Sequence, residues 1–250
     1  MTAIGDIVHG VTAIPLLRLG DFLFRWRSYL PLLLVPPFIA AIAVSEHPAA
    51  SPGGRLAWQI ACVLLACLGL ALRVWTVGVA ARGTSGRNTR QQKASVLNTT
   101  GPYSVMRHPL YVGNTVIAFG LALFPGTVLA AVVVVILAVV YYGVITAREE
   151  AFLRDRFGST FEAWALRVPA FVPNLSRYVP SARAFDWRIP VRREFYGLAL
   201  ILITPLGLDI AANLARRGVL EFDPVWGSLA MVGAIVFVVL RTIKKRTPRP

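Results

Sequence analysis

Long apolar stretches recur along the chain and are separated by polar connections. A helix needs about 20 apolar residues to cross a bilayer core of about 30 Å. Six stretches are candidate spans: Tyr29–Ser45, Ala57–Ala80, Leu110–Phe124, Val128–Thr146, Phe195–Ala212 and Val225–Leu240. Pro36-Pro37 predicts a kink in the first span, and Pro125-Gly126 predicts a tight turn between the third and fourth. The pattern predicts an all-α, polytopic membrane protein with about six transmembrane helices.

The composition agrees with a membrane protein and excludes several other classes. Hydrophobic residues make up 56% of the 250 residues, and charged residues make up 15%. A soluble domain has about 25% charged residues. The chain is too apolar for a disordered protein, and its two cysteines are too few for a disulfide scaffold.

The basic residues indicate which loops face the cytoplasm. The net charge is +14, which in a soluble protein would suggest nucleic-acid binding. Here 22 of the 26 basic residues lie before the first span, in the connections 81–109 and 147–194, or after the last span, and three lie in the opposite connections. Because cytoplasmic loops collect Lys and Arg, both termini are predicted to be cytoplasmic. These charges would attract anionic lipid headgroups, and no nucleic-acid partner is expected.

The first polar strip lies between the second and third spans. It contains Gly101-Pro102-Tyr103, where a turn is predicted, and continues from Arg107 to Tyr111. Pro109 disfavours a helical conformation at His108, so Arg107 and His108 are expected in extended backbone just before the third span. The strip therefore places a cation, an imidazole and an aromatic ring near the membrane surface.

The second polar strip follows the fourth span. Arg148, Glu149 and Glu150 lie where the helix leaves the lipid, and the apolar spacing from Phe152 to Val168 predicts an amphipathic continuation. These acids could simply be solvated beside arginines, but an unpaired carboxylate at this depth is costly. Because the third and fourth spans form a hairpin, both strips are expected to converge on one polar site that opens onto lipid.

The residues of these strips resemble a known family. The matching motifs are Gly101-Pro-Tyr103, Arg107-His-Pro-Leu-Tyr-Val-Gly113, Glu149-Glu150, Phe157-Gly158, Val168-Pro169 and Val172-Pro173. They resemble the isoprenylcysteine carboxyl methyltransferase family and its phospholipid N-methyltransferase relatives, which are integral membrane methyltransferases that use S-adenosylmethionine. The resemblance covers about residues 86–173. It implies methyl transfer from this cofactor, bound in a cytoplasmic juxtamembrane pocket, to a membrane lipid or lipophilic acceptor.

The resemblance also implies roles for the matched residues. The predicted cofactor-binding residues are Asn88, Ser95, Val96, Leu97, Asn98, Tyr103, Arg107, His108, Pro109, Leu110, Tyr111 and Glu149. In the carboxyl methyltransferases an arginine shortly before the glutamates meets the substrate. Direct counting places Ile145 there, and Arg148 is the nearest candidate. Arg148 and Glu150 are therefore the predicted catalytic residues, and no metal is expected. An amine acceptor would need His108 or Glu150 as its base, and the sequence does not choose between them.

Arg73 is a charged residue inside the second span. Insertion scales assign about 2.5–3.5 kcal/mol to such a residue at mid-bilayer. Its guanidinium is expected either to extend to the cytoplasmic surface or to contact an anionic lipid headgroup or the cofactor carboxylate. We predict that it binds substrate.

These assignments divide the chain into three parts. Residues 1–56 hold an amino-terminal interfacial segment, without a recognisable cleavable signal peptide, and the first span. Residues 57–173 are the predicted methyltransferase core. Residues 174–250 form an interfacial linker and two spans for which the resemblance implies no role.

The sequence is also compatible with two other functions. One is an NADPH-dependent membrane reductase resembling the sterol reductases, and the other is a non-catalytic lipid-binding membrane protein. The intact His108, Tyr111 and Glu149 argue against a degenerate site. Stabilisation of the protein by S-adenosylhomocysteine or by NADPH would separate the two enzyme classes.

Overall fold

The computed structural model describes residues 29–49, 51–81 and 94–246, together with residues 22, 23, 25 and 26. Asn88 and nearly all of the amino-terminal interfacial segment lie outside the described residues. Within them all regular structure is helical, as predicted. The helices are α1 (Val35–Val44), α2 (Pro52–Val79), α3 (Pro102–Val105), α4 (Pro109–Leu123), α5 (Val128–Phe157), α6 (Ser159–Ala165), α7 (Arg188–Arg217) and α8 (Pro224–Arg246).

Four of these helices, α2, α5, α7 and α8, are long and apolar enough to cross a membrane. The first and third predicted spans form shorter apolar helices over Leu32–Val44 and Pro109–Leu123. Side chains such as Leu68 on α2 and Leu129 on α5 are 66% and 79% exposed, which is expected of surfaces that face lipid. The chain is an integral membrane protein, and the count of six spans stays a prediction.

Prolines explain why the first helix is short. A 3₁₀ turn over Leu30–Leu34 precedes α1, and Pro36 and Pro37 lie in the first turn of α1. Proline is tolerated there because the N–H that it lacks would have no partner within the helix. The interruption predicted at these prolines therefore takes the form of a change from 3₁₀ to α-helix.

A tight turn joins α4 to α5, as the Pro-Gly pair predicts. Gly126 has φ +82°, and its N–H donates to the Leu123 carbonyl over 2.8 Å. A positive φ favours glycine because it has no Cβ. Helix α5 then continues unbroken past Thr146, the predicted end of the span, to Phe157. The hairpin therefore sets the start of α4 beside the last turns of α5.

Helix α2 packs against both α4 and α7. A Cβ on Gly113 would lie 2.9 Å from the Gly69 carbonyl oxygen and 2.6 Å from Cγ of Arg73, so glycines allow α2 and α4 to approach closely. One buried apolar cluster joins the three helices through Ala66, Leu70, Ile117, Leu121 and Ile201. Helix α7, the first of the two carboxy-terminal helices, therefore shares a core with α2 and α4.

Candidate active site

The backbone of the first polar strip is held by the segment that follows α6. His108 stands just outside α4, whose first turn contains Pro109, so it is excluded from the helix as predicted. Its φ of −124° and ψ of 57° are not those of the extended backbone that was expected there. The Arg107 N–H donates to the Pro169 carbonyl over 2.8 Å, and the His108 N–H donates to the Ala170 carbonyl over 3.1 Å. These bonds fix the backbone on which the cation and the imidazole stand.

Glu150 is the acceptor at the centre of the site. Nε of Arg107 donates to Oε1 of Glu150 over 2.8 Å, and Nε2 of His108 lies 2.8 Å from the same oxygen. The three side chains are half-buried or buried, with His108 only 7% exposed. An ionised carboxylate can only accept hydrogen bonds. Nε2 of His108 therefore carries a proton, and in the neutral imidazole Nδ1 keeps the lone pair.

Arg107 also connects Glu150 to the end of α6 and the segment that follows it. Its Nη1 donates to the carbonyls of Ala165 and Val168 over 2.8 and 2.7 Å. Because a guanidinium is planar, its bonds to a carboxylate and to two carbonyls fix its orientation. Arg107 thus ties α5, α6 and the first polar strip together.

Glu149 has different partners and is more accessible. The Tyr111 hydroxyl donates to Oε1 of Glu149 over 2.6 Å, and Oε2 lies 3.9 Å from Nδ1 of His108. The side chain of Glu149 is 26% exposed, compared with 18% for Glu150. The rings of Tyr111 and Tyr142 are 4.7 Å apart. A carboxylate beside two aromatic rings suits a ligand that carries positive charge or hydroxyl groups.

Tyr103 and Leu97 belong to an apolar cluster next to the first polar strip. They pack against the buried side chains of Phe161, Trp164 and Val168, and the Trp164 indole N–H donates to the Tyr103 carbonyl over 3.2 Å. Burial raises the pKa of the Tyr103 hydroxyl, and the charge of Glu149 raises it further. The hydroxyl therefore stays protonated at neutral pH.

The remaining predicted cofactor residues lie at different depths around this cluster. Ser95 and Val96 are exposed, and Pro109 is buried. Oδ1 of Asn98 accepts a hydrogen bond from the Ala81 N–H over 3.0 Å and thereby joins the strip to the end of α2. Arg148 is half-buried on α5, one residue before the glutamates. The cofactor and catalytic roles of all these residues stay predictions.

Arg73 is held by three protein groups. Nε and Nη2 donate to the two carboxylate oxygens of Glu194, each over 2.8 Å. Nη1 donates to Oδ1 of Asn114 over 2.6 Å and to the Leu110 carbonyl over 3.3 Å. The guanidinium thus lies between α4 and α7, and its predicted contact with substrate stays a prediction.

Sequence reasoning did not identify Glu194, Asn114 or Phe171. For Glu194 a signal existed, because an arginine inside an apolar span needs a counter-charge and this glutamate directly precedes the predicted span that begins at Phe195. Phe171 lies with its ring 5.7 Å from the imidazole of His108. No local pattern marks it, because the contact depends on how the chain returns after α6.

The predicted cofactor pocket is not confirmed as a cavity. A cavity of about 760 Å³ lies instead at the other end of the bundle, and none of the predicted site residues lines it. It is bordered by the end of α1, the start of α2 and the connection between α7 and α8. Across the part of the chain that the structure describes, no group of three or more His, Cys, Asp or Glu side chains could hold a metal ion.

A comparison with protein families identifies the region that carries both glutamates. Residues 58–160 match the model of a family described as phospholipid methyltransferase. This segment of the chain is therefore similar to the phospholipid methyltransferase family. It includes α4, all of α5 and the first polar strip, so the resemblance seen in the sequence is confirmed.

Three relatives extend the comparison beyond this family segment. The chain is 36% identical over 126 residues to the nickel-cobalt-cadmium resistance protein NccN of Alcaligenes xylosoxydans xylosoxydans, covering 50% of this chain and 58% of that protein. It is 27% identical over 117 residues to protein-S-isoprenylcysteine O-methyltransferase of Schizosaccharomyces pombe, covering 46% of this chain and 50% of that protein. It is 26% identical over 169 residues to protein-S-isoprenylcysteine O-methyltransferase B of Arabidopsis thaliana, covering 66% and 82%.

The similarity covers only part of these proteins. The chain spans about half the length of the first two relatives, 58% and 50%. No solved structure matches the chain. The matched family model and two of these relatives are described as methyltransferases.

Proposed function

We propose that this protein transfers a methyl group from S-adenosylmethionine to a membrane lipid or another lipophilic acceptor at the cytoplasmic face of the membrane. One observation supports the proposal most strongly. His108 and Tyr111, at the start of α4, contact the paired carboxylates Glu150 and Glu149 on α5 at distances of 2.8 and 2.6 Å. This arrangement lies within a phospholipid methyltransferase segment of an integral membrane protein.

The donors and acceptors of the site suit this cofactor. S-adenosylmethionine has a sulfonium, an ammonium, a carboxylate, ribose hydroxyls and a flat adenine. Glu149 would accept hydrogen bonds from the ammonium or the ribose, and Tyr111 and Tyr142 offer rings to a cation or to the adenine. Ser95 to Asn98 would border the cofactor on the exposed side. The bound cofactor would supply an electrophilic methyl group.

The protein residues would mainly align donor and acceptor. Alignment of two reactants can contribute up to about 7–11 kcal/mol in ideal cases. Arg107 would hold Glu150 and His108 in place through its bonds to the carboxylate and to two carbonyls. Arg148 would meet a negatively charged part of the substrate.

An amine acceptor would also have to lose a proton. We propose that Nδ1 of His108 accepts it, because Nε2 already donates to Glu150. Glu150 would then orient the imidazole and stabilise its positive charge, as an acid next to a catalytic histidine does. A carboxylate or thiolate acceptor would need no base.

We further propose that all six apolar helices traverse or enter the membrane and that the site lies at its cytoplasmic face. The excess of basic residues in the connections on that side supports this orientation. In protein with Cys62 and Cys67 replaced by alanine, a cysteine at the exposed Ser95 should react with an impermeant maleimide only from the cytoplasm. A cysteine at Leu220, which is 76% exposed at the other end, should react only from outside. The reverse pattern would contradict this topology.

Ligand-dependent stability tests the reaction class. Detergent-purified protein should be stabilised against heat by S-adenosylhomocysteine and not by NADPH, because only a ligand that binds the native state raises its stability. Stabilisation by NADPH alone would favour the reductase. Membranes that contain the protein should then transfer label from methyl-labelled S-adenosylmethionine to a species recovered by lipid extraction.

A further inference from the structure

The ion pair between Arg73 and Glu194 connects the methyltransferase segment to a helix outside it. Glu194 lies on α7, beyond residues 58–160, and its side chain is 6% exposed, compared with 17% for Arg73. We propose that Glu194 is a positioning residue of the active site, acting through Arg73 on the first turns of α4. The proposal rests on the function proposed above, and it gives α7 an indirect part in methyl transfer, through Arg73.

Arg73 reaches the site through the backbone and one side chain of α4. Its Nη1 donates to the carbonyl of Leu110 and to Oδ1 of Asn114. Leu110 directly precedes Tyr111, whose hydroxyl donates to Glu149 over 2.6 Å. One guanidinium therefore separates the carboxylate of Glu194 from the turn that presents Tyr111 to Glu149.

The geometry of the ion pair means that Glu194 sets the orientation of the Arg73 guanidinium towards α4. Two parallel hydrogen bonds of 2.8 Å join the carboxylate to Nε and Nη2 and so fix the plane of the guanidinium. With that plane fixed, Nη1 points at α4. The stem of Arg73 packs directly against Gly113, which is possible because glycine has no Cβ: a Cβ there would lie 2.6 Å from Cγ of Arg73.

A double substitution separates positioning from charge compensation. Glu194→Met alone leaves an unpaired buried arginine, which is strongly destabilising, whereas replacing both partners of a buried ion pair by apolar residues is often neutral. We expect Glu194→Met to lower the melting temperature by about 10 °C and Arg73→Met/Glu194→Met to restore most of it. The double variant should nevertheless bind S-adenosylhomocysteine about tenfold more weakly, since the contacts to Leu110 and Asn114 are gone.

Glu194→Asp provides a second and milder test. It keeps the negative charge, so the buried pair stays compensated, but its shorter side chain draws the guanidinium away from α4. We expect a melting temperature near that of the wild type with a raised KM for the cofactor. A merely structural role would reduce the amount of folded enzyme and leave that KM unchanged.

These measurements separate a failure of the positioning role of Glu194 from a failure of the proposed function. Wild-type protein that binds S-adenosylhomocysteine, with the folded double variant and Glu194→Asp binding it equally well, would overturn the positioning role alone. If the double variant does not fold, the KM of Glu194→Asp decides the matter. Wild-type protein that binds no S-adenosylhomocysteine would overturn both the function and this inference.

Arg216→Met is the matched control for loss of an arginine far from the site, and it should leave the KM for the cofactor unchanged.

Discussion

The two polar ends of the helix bundle use their charged side chains differently. At the candidate active site, side chains from α5 and from the start of α4 bind one another, as in the contact of His108 with Glu150 and of Tyr111 with Glu149. At the opposite end, Arg216 donates to the backbone carbonyls of Ile42, Ser45 and Pro125 over 3.1, 2.9 and 2.7 Å.

Two aspartates at the opposite end also accept hydrogen bonds from backbone N–H groups, next to the start of α8. Oδ1 of Asp223 accepts from the Val225 N–H at the start of α8, and Oδ2 of Asp209 accepts from the Asp223 N–H. Helix ends leave backbone groups without partners within the helix, and such side chains satisfy them. That end contains the 760 Å³ cavity, yet each hydrogen bond named here joins a charged side chain to a backbone atom. We therefore expect the partners of a charged group to indicate the active site better than the size of a cavity does.

The largest effect on cofactor binding is expected from Glu149→Ala. Loss of charge-assisted hydrogen bonds, worth about 1.5–3 kcal/mol, should weaken S-adenosylhomocysteine binding by about 10- to 150-fold. Isothermal titration of the detergent-purified variant measures this change. Glu221→Ala, which removes a carboxylate at the other end, is the control and should bind normally. Equal affinity of Glu149→Ala and wild type would remove Glu149 from the cofactor site.

A smaller loss is expected from Tyr111→Phe. The substitution keeps the ring beside Tyr142 but removes the hydroxyl that donates to Glu149. One neutral hydrogen bond contributes about 0.5–1.5 kcal/mol, so binding should weaken by about 2- to 10-fold. The same titration, run beside Tyr141→Phe, measures it. A loss as large as that of Glu149→Ala would mean that the hydroxyl contacts the ligand itself.

No effect on cofactor affinity is expected from Arg216→Met. The substitution leaves the carbonyls of Ile42, Ser45 and Pro125 without their donor, so the free energy of unfolding should fall by about 1–3 kcal/mol. Thermal unfolding with and without S-adenosylhomocysteine measures both quantities. A lower affinity in the folded variant would show that the two ends are coupled and would weaken the contrast drawn between them.

Much of the candidate site could be predicted because its parts are close in sequence. Pro109 excludes His108 from α4, and Pro125-Gly126 turns the chain so that α5 returns beside α4. Those local rules alone place His108 near Glu149. Glu194 could not be predicted in the same way, because its contact with Arg73 joins residues 121 positions apart and depends on how α7 packs.

In the fold, too, features set by nearby residues could be predicted, and contacts between distant segments could not. Apolar length predicted α2, α5, α7 and α8 as spans, since hydropathy is a local property. The start of α1 was harder to predict than the apolar spans. Pro36 and Pro37 lie in the first turn of that helix, where proline is tolerated. The hydrogen bonds from Arg107 and His108 to Pro169 and Ala170 depend on the return of the chain after α6, for which the sequence has no local signal.

The most direct test of the shared site is photoaffinity labelling with an azido-adenosyl analogue of the cofactor, followed by peptide mass spectrometry. We expect adducts in both polar strips, within residues 94–111 and 141–150, and we expect S-adenosylhomocysteine to suppress them. Labelling confined to residues 46–55 and 209–223 around the cavity at the opposite end, and suppressed by S-adenosylhomocysteine, would contradict the assignment.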